Sequence, residues 1–318
     1  MSVASYRGRR VVVTGGLGFL GSHVTRALLA AGARVTVVDA LVPGLGGSPA
    51  HVPPAPELDI VRADLRELEP AALDGAEVIF HLAGSTGHAL SMAEPRRDLA
   101  LNVDATLSLF DAWRRRAPRA RLVLASTRQV YGRARGPLDE AHPVDPRDVN
   151  GASKSACEQL LRVHARAYGL AGVALRLTNA YGPRMLLAGR RGDVLGTFFR
   201  RALAGEDLEV FLPGTDRRSF VHAEDVASAF LLAGAASGCE NRTFNVAGSA
   251  PASIRELAVL VARLAGVGLR EVPFASEQRA IDVGDAPLDD GAFRRVTRYR
   301  PRWELEPGLR QTLEALAR

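Results

Sequence analysis

The chain has 318 residues, 47% of them hydrophobic and 24% charged, the balance of an ordinary soluble globular protein. A net charge of +6 and a pI near 10 raise nucleic acid as a partner, but the arginines are scattered and aromatics are 6%, too few for base-stacking platforms. No apolar run reaches membrane-span length, no secretory signal is legible, and Cys157 and Cys239 lack metal-ligand spacing, so a cytoplasmic protein without nucleic acid, membrane or metal is expected.

In chain order, "RVVVTG" (10–15), "RVTVVD" (34–39), "LDIVRAD" (58–64), "EVIFHLAG" (77–84), "RLVLAST" (121–127) and "GVALRLTN" (172–179) are apolar runs rich in β-branched residues. Parallel strands buried on both faces read this way. Helical segments fall between them. "FLGSHVTRALLAAGA" is closed by Gly32, and after Pro95 the residues Leu99, Val103, Thr106, Phe110 and Trp113 recur on one face. The alternation predicts an α/β fold with a Rossmann-type doubly wound parallel sheet. "RRRAPRAR" (114–121) falls at a helix end and reads as a solvated face. "VPGLGGSPAHVPPAP" (42–56) reads as a surface loop.

The pattern loosens after Pro183. Helices near 193–204 and 253–265 mix with short strands around 208–212, 243–246 and 270–273, while "HAEDVASAFLLAGAA" (222–236) reads as a helix returning to the first lobe. The expected division is a first domain over 1–182, with 214–236 returning to it, and a smaller, interleaved C-terminal lobe over 183–318.

Within "VVVTGGLGFLGSHV", Gly16, Gly18 and Gly21 satisfy G-x-G-x-x-G, and Gly15 adds a G-x-x-G-x-x-G reading. Such a turn lets the backbone approach a pyrophosphate and rests it on a helix N-terminus. The motif alone is weak. Here it joins a strand to a helix, and Asp39 follows eighteen residues after Gly21 at the end of the second strand. An acid there accepts both ribose hydroxyls and repels a 2′-phosphate, which predicts NAD rather than NADP.

Lys154 is the one lysine of the chain; every other basic side chain is arginine. Retention against that bias points to a specific task, since a compact ammonium with three rotatable donors does what a planar guanidinium cannot. Together with "TGGLGFLG", Asp39, "ADL" (63–65), "HLAG" (81–84), "NVDAT" (102–106), "STRQVYG" (126–132), "GASK" (151–154), "RLTNAYGP" (176–183) and "RRSFVHAEDVA" (217–227), it makes the chain resemble the extended short-chain dehydrogenase/reductase family. The likeness spans nearly the whole chain and is greatest to the NDP-sugar epimerases and dehydratases.

The resemblance implies that Gly15, Gly18, Phe19, Leu20, Gly21, Asp39, Asp64, Leu65, Leu82, Ala83, Gly84, Asn102 and Lys154 line the dinucleotide. Ser126 and Thr127 would face the sugar, with Thr127 on the hydroxyl at carbon four, and Asn179, Arg218 and Arg279 would hold the nucleotide diphosphate. In the family a Tyr-x-x-x-Lys pair moves the proton while hydride passes to NAD. This sequence departs from it: Asn150 stands at the tyrosine's place, and an amide is neither acid nor base. Tyr168 shares the helix face but lies roughly 27 Å along it at about 1.5 Å per residue. His88, just past "HLAG", is a candidate base or an ordinary loop histidine; Lys154 itself, or water held by Thr127, are further alternatives.

Arg128 and Gln129 follow Thr127 where 4,6-dehydratases carry Asp-Glu, so a standard 4,6-dehydratase is not expected. Arg128 either faces the sugar pocket, where it would suit a carboxylated substrate, or points away. The leading expectation is an NAD-dependent, 4-epimerase-like enzyme acting on a nucleotide-diphosphate sugar. A protein that binds these ligands without turnover, and a ketoreductase or decarboxylase, stand as alternatives. A homodimer is expected through the helices near 95–115 and 150–168, where Ala156, Cys157, Leu160, Leu161 and His164 supply apolar surface for the sheet and a partner.

Overall fold

In the computed structural model, which describes residues 3–134, 136–187, 194–273 and 287–317, the β-branched runs of the first half become one seven-stranded sheet. Its strands are β1 (Arg10–Thr14), β2 (Arg34–Val38), β3 (Leu58–Val61), β4 (Val78–His81), β5 (Arg121–Thr127) and β6 (Ala171–Leu177), joined by a late strand. Four short strands intervene: β7 (Asn179–Tyr181), β8 (Leu208–Phe211), β9 (Arg217–Arg218) and β10 (Phe220–His222). Then β11 (Arg242–Val246) adds to the sheet edge, giving the order β11-β6-β5-β4-β1-β2-β3 with every pairing parallel. The return to the first lobe therefore runs beyond the expected helix, to Val246.

Helices cover both faces, as buried parallel strands demand. On one face, α1 (Phe19–Ala30) and α7 (Ala223–Ala235) pack over Val11, Val13, Val35 and Phe80. On the other, α4 (Ala105–Arg116) and α5 (Val149–Tyr168) pack over Val12, Ile79, Leu122 and Leu124. The second lobe has its own core, where Phe198 and Phe199 of α6 (Val194–Leu203) meet Leu257 and Val261 of α8 (Ile254–Ala265). There β8 pairs with β13 (Leu269–Val272), and β9 with β12 (Ala252–Ser253).

One expectation changes. The helical stripe after Pro95 is interrupted: α2 (His88–Ala93) and α3 (Pro95–Leu99) run into a π-helical turn at Ala100–Asp104 before α4 begins. The wider turn rotates the following face relative to the preceding one. Thr106, Phe110 and Trp113 are buried as the stripe requires, but Leu99 is 45% exposed, and Asp98 and Asn102 face inward instead. The arginine run lies on a solvated face as expected, its guanidinium groups pairing with surface carboxylates: Arg114 with Asp111 at 2.9 Å and Arg116 with Asp74, while Arg121, at the start of β5, pairs with Glu240.

Candidate active site

The strand order reverses at β1, and at the carboxyl ends of these strands a cavity of about 1010 Å³ opens between sheet and second lobe. This is the crevice where open α/β sheets receive ligands. Gly15, Gly18, Phe19, Leu20, Gly21, Asp39, Asp64, Leu65, Leu82, Ala83, Gly84, Ser126, Thr127, Arg128, Asn150, Lys154, Asn179 and Arg218 all border it. Arg279 and the side chain of His88 lie outside the described residues.

One end is shaped for a diphosphate. Gly15 takes a φ of +69°, and a Cβ there would lie 2.6 Å from the backbone nitrogen of Ala83, so no other residue allows β1 and β4 to end this close. α1 then starts with no acid in its first turn and no side-chain cap on Gly18. Its positive end is left open to an anion. Asp39 is fixed at the tip of β2, where Leu17 N–H donates to its Oδ2 at 3.0 Å and Leu41 N–H to its Oδ1 at 2.9 Å. Past β3, the carboxyl of Asp64 is held below the usual range by its hydrogen bonds with Arg66. The 42–56 segment is more than a surface loop, since Val42, Leu45 and Gly47 border the cavity beside Asp39.

The inner end is polar and buried. At Gly84 (φ +145°) a Cβ would meet Asn102 Oδ1 at 2.5 Å and Lys154 Nζ at 3.1 Å. Asn102 stands one layer behind the cavity wall, donating to Ser85 Oγ at 2.9 Å and to the Asp98 carbonyl at 3.1 Å. Its Oδ1 is buried with no hydrogen-bond partner. A buried acceptor of this kind calls for a donor that the described residues do not supply. The open helix end, the glycine cradle, the fixed acid and this orphaned acceptor together fit a dinucleotide.

Lys154 is 6% exposed and borders the cavity. Burial lowers its pKa, opposed by the nearby Cys157, whose own thiol is pushed up by burial, and by the carboxylate of Asp98. Behind it His81 is clamped between Thr14 Oγ1 at 2.7 Å and Thr106 Oγ1 at 2.9 Å. Burial and the Lys154 charge push that imidazole down to about 3, so it stays neutral.

α5 explains how Asn150 and Lys154 come to lie together. Asp148 caps it, accepting from Gly151 N–H at 2.6 Å, and Gly169 ends it in the left-handed conformation. Its inward face carries Asn150, Ser153, Lys154, Cys157 and Glu158, a polar stripe where an ordinary helix would be apolar. Asn150 donates to the Ser85 carbonyl at 3.0 Å and to Asp98 Oδ2 at 3.1 Å. Both partners only accept, which fixes the orientation of the amide. Asp98 also accepts from Ser85 Oγ at 2.8 Å and Ser153 Oγ at 2.7 Å.

At the end of β5, Ser126 Oγ donates to Glu158 Oε1 at 2.5 Å, and Arg176 grips Glu158 through two bonds of 3.0 and 2.7 Å. Thr127 caps the short turn Arg128–Tyr131, accepting from Gln129 N–H at 3.2 Å. Arg128 is buried at the cavity wall and does not reach outward to solvent. Asn179 donates to the Ser219 carbonyl at 3.1 Å.

None of the five tyrosines borders the cavity. Tyr6 donates to the Leu231 carbonyl, Tyr131 to Asn245 Oδ1 and Tyr299 to the Ala247 carbonyl; Tyr181 packs beside His222, and Tyr168 sits at the exposed end of α5.

Residues 11–247 match the NAD dependent epimerase/dehydratase family. The chain belongs to that family. Its cofactor is NAD, as Asp39 led the sequence reading to expect. Among relatives of this family member, the UDP-glucose 4-epimerase of Mycolicibacterium smegmatis is 32% identical over 96% of this chain and 97% of the relative. UDP-glucuronic acid decarboxylase 1 of Xenopus tropicalis is 30% identical over 96% of this chain and 71% of the relative. A solved UDP-N-acetylglucosamine 4-epimerase from Methanobrevibacter ruminantium, in complex with UDP-N-acetylmuramic acid, superposes with a TM-score of 0.89 at 28% identity over 98% of each chain.

Sequence reasoning missed Asp98, Ser85 and Ser153, the anchors of Asn150, and the Glu158–Arg176 pair. A signal for Glu158 was present: it lies four residues after Lys154 and so shares the helix face that packs on the sheet. Asp98 bears the same relation to Asn102, but the π-turn between them hides which face is buried.

Proposed function

We propose that the protein is an NAD-dependent enzyme acting on a nucleotide-diphosphate sugar, oxidising one hydroxyl to a transient ketone and reducing it again as a 4-epimerase does. The observation that carries this reading is the buried Lys154 amine on the wall of the cavity that Thr127 also borders. NAD would supply the hydride acceptor and donor. Gly15 and the α1 N-terminus would hold its diphosphate, Asp39 the adenosine ribose, and Lys154 the inner end, with Asn102 behind it. Thr127 would orient the sugar hydroxyl, and Asn179 and Arg218 the second diphosphate. The relatives' names, two epimerases and a decarboxylase, support the substrate class.

A second reading, a carboxylated sugar as substrate for epimerisation or decarboxylation, is favoured by Arg128, a cation buried in the cavity wall next to Thr127. The deciding experiment denatures the purified protein to identify released cofactor, then incubates the native protein with UDP-glucose, UDP-N-acetylglucosamine and UDP-glucuronic acid. Released NAD and formation of a C4 epimer are expected. A loss of carbon dioxide from the glucuronide alone would favour the second reading, and binding of sugar nucleotide without any product would favour a protein that binds without turnover.

We also propose a homodimer through α4 and α5, but not on the surface first expected. Cys157, Leu161 and His164 are core residues, whereas Leu107 and Val163 are the exposed apolar side chains of these two helices.

A further inference from the structure

Oxidising a sugar hydroxyl releases a proton, and a group at the site must take it. Asn150 does not: both its N–H bonds are committed to Ser85 and Asp98, and an amide oxygen is not a base at accessible pH. No tyrosine borders the cavity. Asp98 lies behind the wall and already accepts from Ser85, Ser153 and Asn150. Asp148 borders the cavity but is the helix cap. Asp39 and Asp64 belong to the far end, beyond β2 and β3, and Glu209 and Asp216 to the second lobe.

Lys154 stands one helical turn after Asn150, and among the described residues its ammonium donates no hydrogen bond to a protein group. In a Tyr-x-x-x-Lys pair the phenolate and the ammonium stabilise each other's charge. With a neutral amide in the tyrosine's place, the lysine keeps the burial and loses that anion. We propose that Lys154 is itself the general base and acid of this site, its neutral amine taking the proton from the sugar hydroxyl and later returning it. This rests on the function proposed above. The substrate O–H bond breaks and its proton forms a new N–H bond on Nζ, giving the ammonium. The electron pair left on oxygen closes the carbonyl as the carbon gives up its hydride to the nicotinamide. The reduction step reverses each transfer.

Burial, which lowers the lysine's pKa, points the same way. The groups facing it are Asp98 from α3, Cys157 from its own helix and the neutral His81 from β4.

The single lysine makes the test direct. Protein labelled with ε-carbon-13 lysine carries one lysine resonance, which is titrated in the full chain with its cofactor. A midpoint below the ordinary value of about 10.4 is expected, matching the midpoint of the rate of sugar oxidation against pH. Lys154→Ala should lose about a hundred- to ten-thousand-fold in oxidation rate. Added ethylamine should restore it in proportion to the free amine, while guanidine should not. His88→Gln should keep turnover within about three-fold, since a general base is worth at least a hundred-fold. A midpoint at or above about 10.4, rescue that follows the cation, or a His88→Gln variant as impaired as Lys154→Ala would overturn the proposal with the function intact. Wild-type protein that converts no sugar nucleotide would overturn the function as well.

Discussion

The side-chain amide of Asn150 donates to Asp98 Oδ2 at 3.1 Å, tying α5 to α3 beneath the floor of the cavity. Asp98 is 4% exposed and accepts three side-chain hydrogen bonds, so Asn150 is one of three donors that hold a buried carboxylate. Removing either partner leaves polar atoms unsatisfied. Asn150→Ala and Asp98→Ala are each expected to cost about 1–3 kcal/mol, and the double variant less than their sum by at least about 0.5 kcal/mol. Asn150→Tyr adds overpacking to the lost bonds, so it should destabilise without raising turnover. Denaturant unfolding of the four variants, with kcat/KM for the tyrosine variant, checks this; additive costs or a faster tyrosine variant would refute it.

Asp39 holds two backbone N–H groups while bordering the cavity, so its carboxylate is pre-positioned and not merely nearby. Hydrogen bonds to a charged group are worth about 1.5–3 kcal/mol, or roughly ten- to a hundred-fold in affinity. Asp39→Asn should weaken NAD binding by that factor, measured by calorimetry on cofactor-stripped protein. Wild type should bind NADP at least about ten-fold less tightly than NAD, because the carboxylate faces the 2′-phosphate. Equal affinity for the two cofactors would remove Asp39 from the ribose.

Strand positions were legible because β1, β2, β4, β5 and β6 are mostly buried and their β-branched runs have no competing pattern; β3, at the sheet edge, is only partly buried. The glycine turn and Asp39 were legible because backbone approach and charge fix residue type there. The network under Asn150 was not. Ser85, Asp98 and Asn150 lie on a loop and two helices far apart in sequence, and the π-turn at Ala100–Asp104 changes which side of the helix faces inward. Val42 and Leu45 were hidden for a related reason: a Gly/Pro-rich segment reads as surface whether or not it folds over a cavity.

Leu107 of α4 is 45% exposed and Val163 of α5 is 56% exposed, although each helix buries its opposite face on the sheet. A homodimer through this surface places both in an apolar interface. Leu107→Asp combined with Val163→Asp should halve the mass measured by light scattering at micromolar concentration. A wild-type protein that runs as a monomer, or a doubly substituted one that still dimerises, would rule this interface out.

Lys154 binds its proton less tightly in the fold than in the unfolded chain, where its value is near about 10.4. Between the folded and unfolded values the unfolded chain holds the extra proton, so stability rises with pH through that window. Above it neither state is charged and the cost vanishes; below the folded value the cost is full. Each factor of ten in lost proton affinity is worth about 1.4 kcal/mol. Lys154→Met should therefore be more stable than wild type at pH 7, with the advantage shrinking as pH approaches 10. Guanidinium unfolding at several pH values measures it, and an advantage constant from pH 7 to 10 would contradict the lowered proton affinity.

Glu158 and Arg176 are 1% and 3% exposed, and their two hydrogen bonds lie directly under Ser126 at the end of β5. Burial alone would lower the proton affinity of Arg176, but the hydrogen bonds and charge of Glu158 raise it above the ordinary arginine range. The guanidinium also stacks over Tyr131 at 4.6 Å, whose hydroxyl reaches Asn245 on β11, so the pair links three strands behind Thr127. Removing one charge leaves the other stranded in the interior. Glu158→Gln should cost about 3–5 kcal/mol, and the double change Glu158→Leu with Arg176→Met clearly less, because apolar groups need no partner. Denaturant midpoints of the two variants decide it. If the single change proves milder than the double, the charges are screened by water and the pair is not what holds the end of β5 in place.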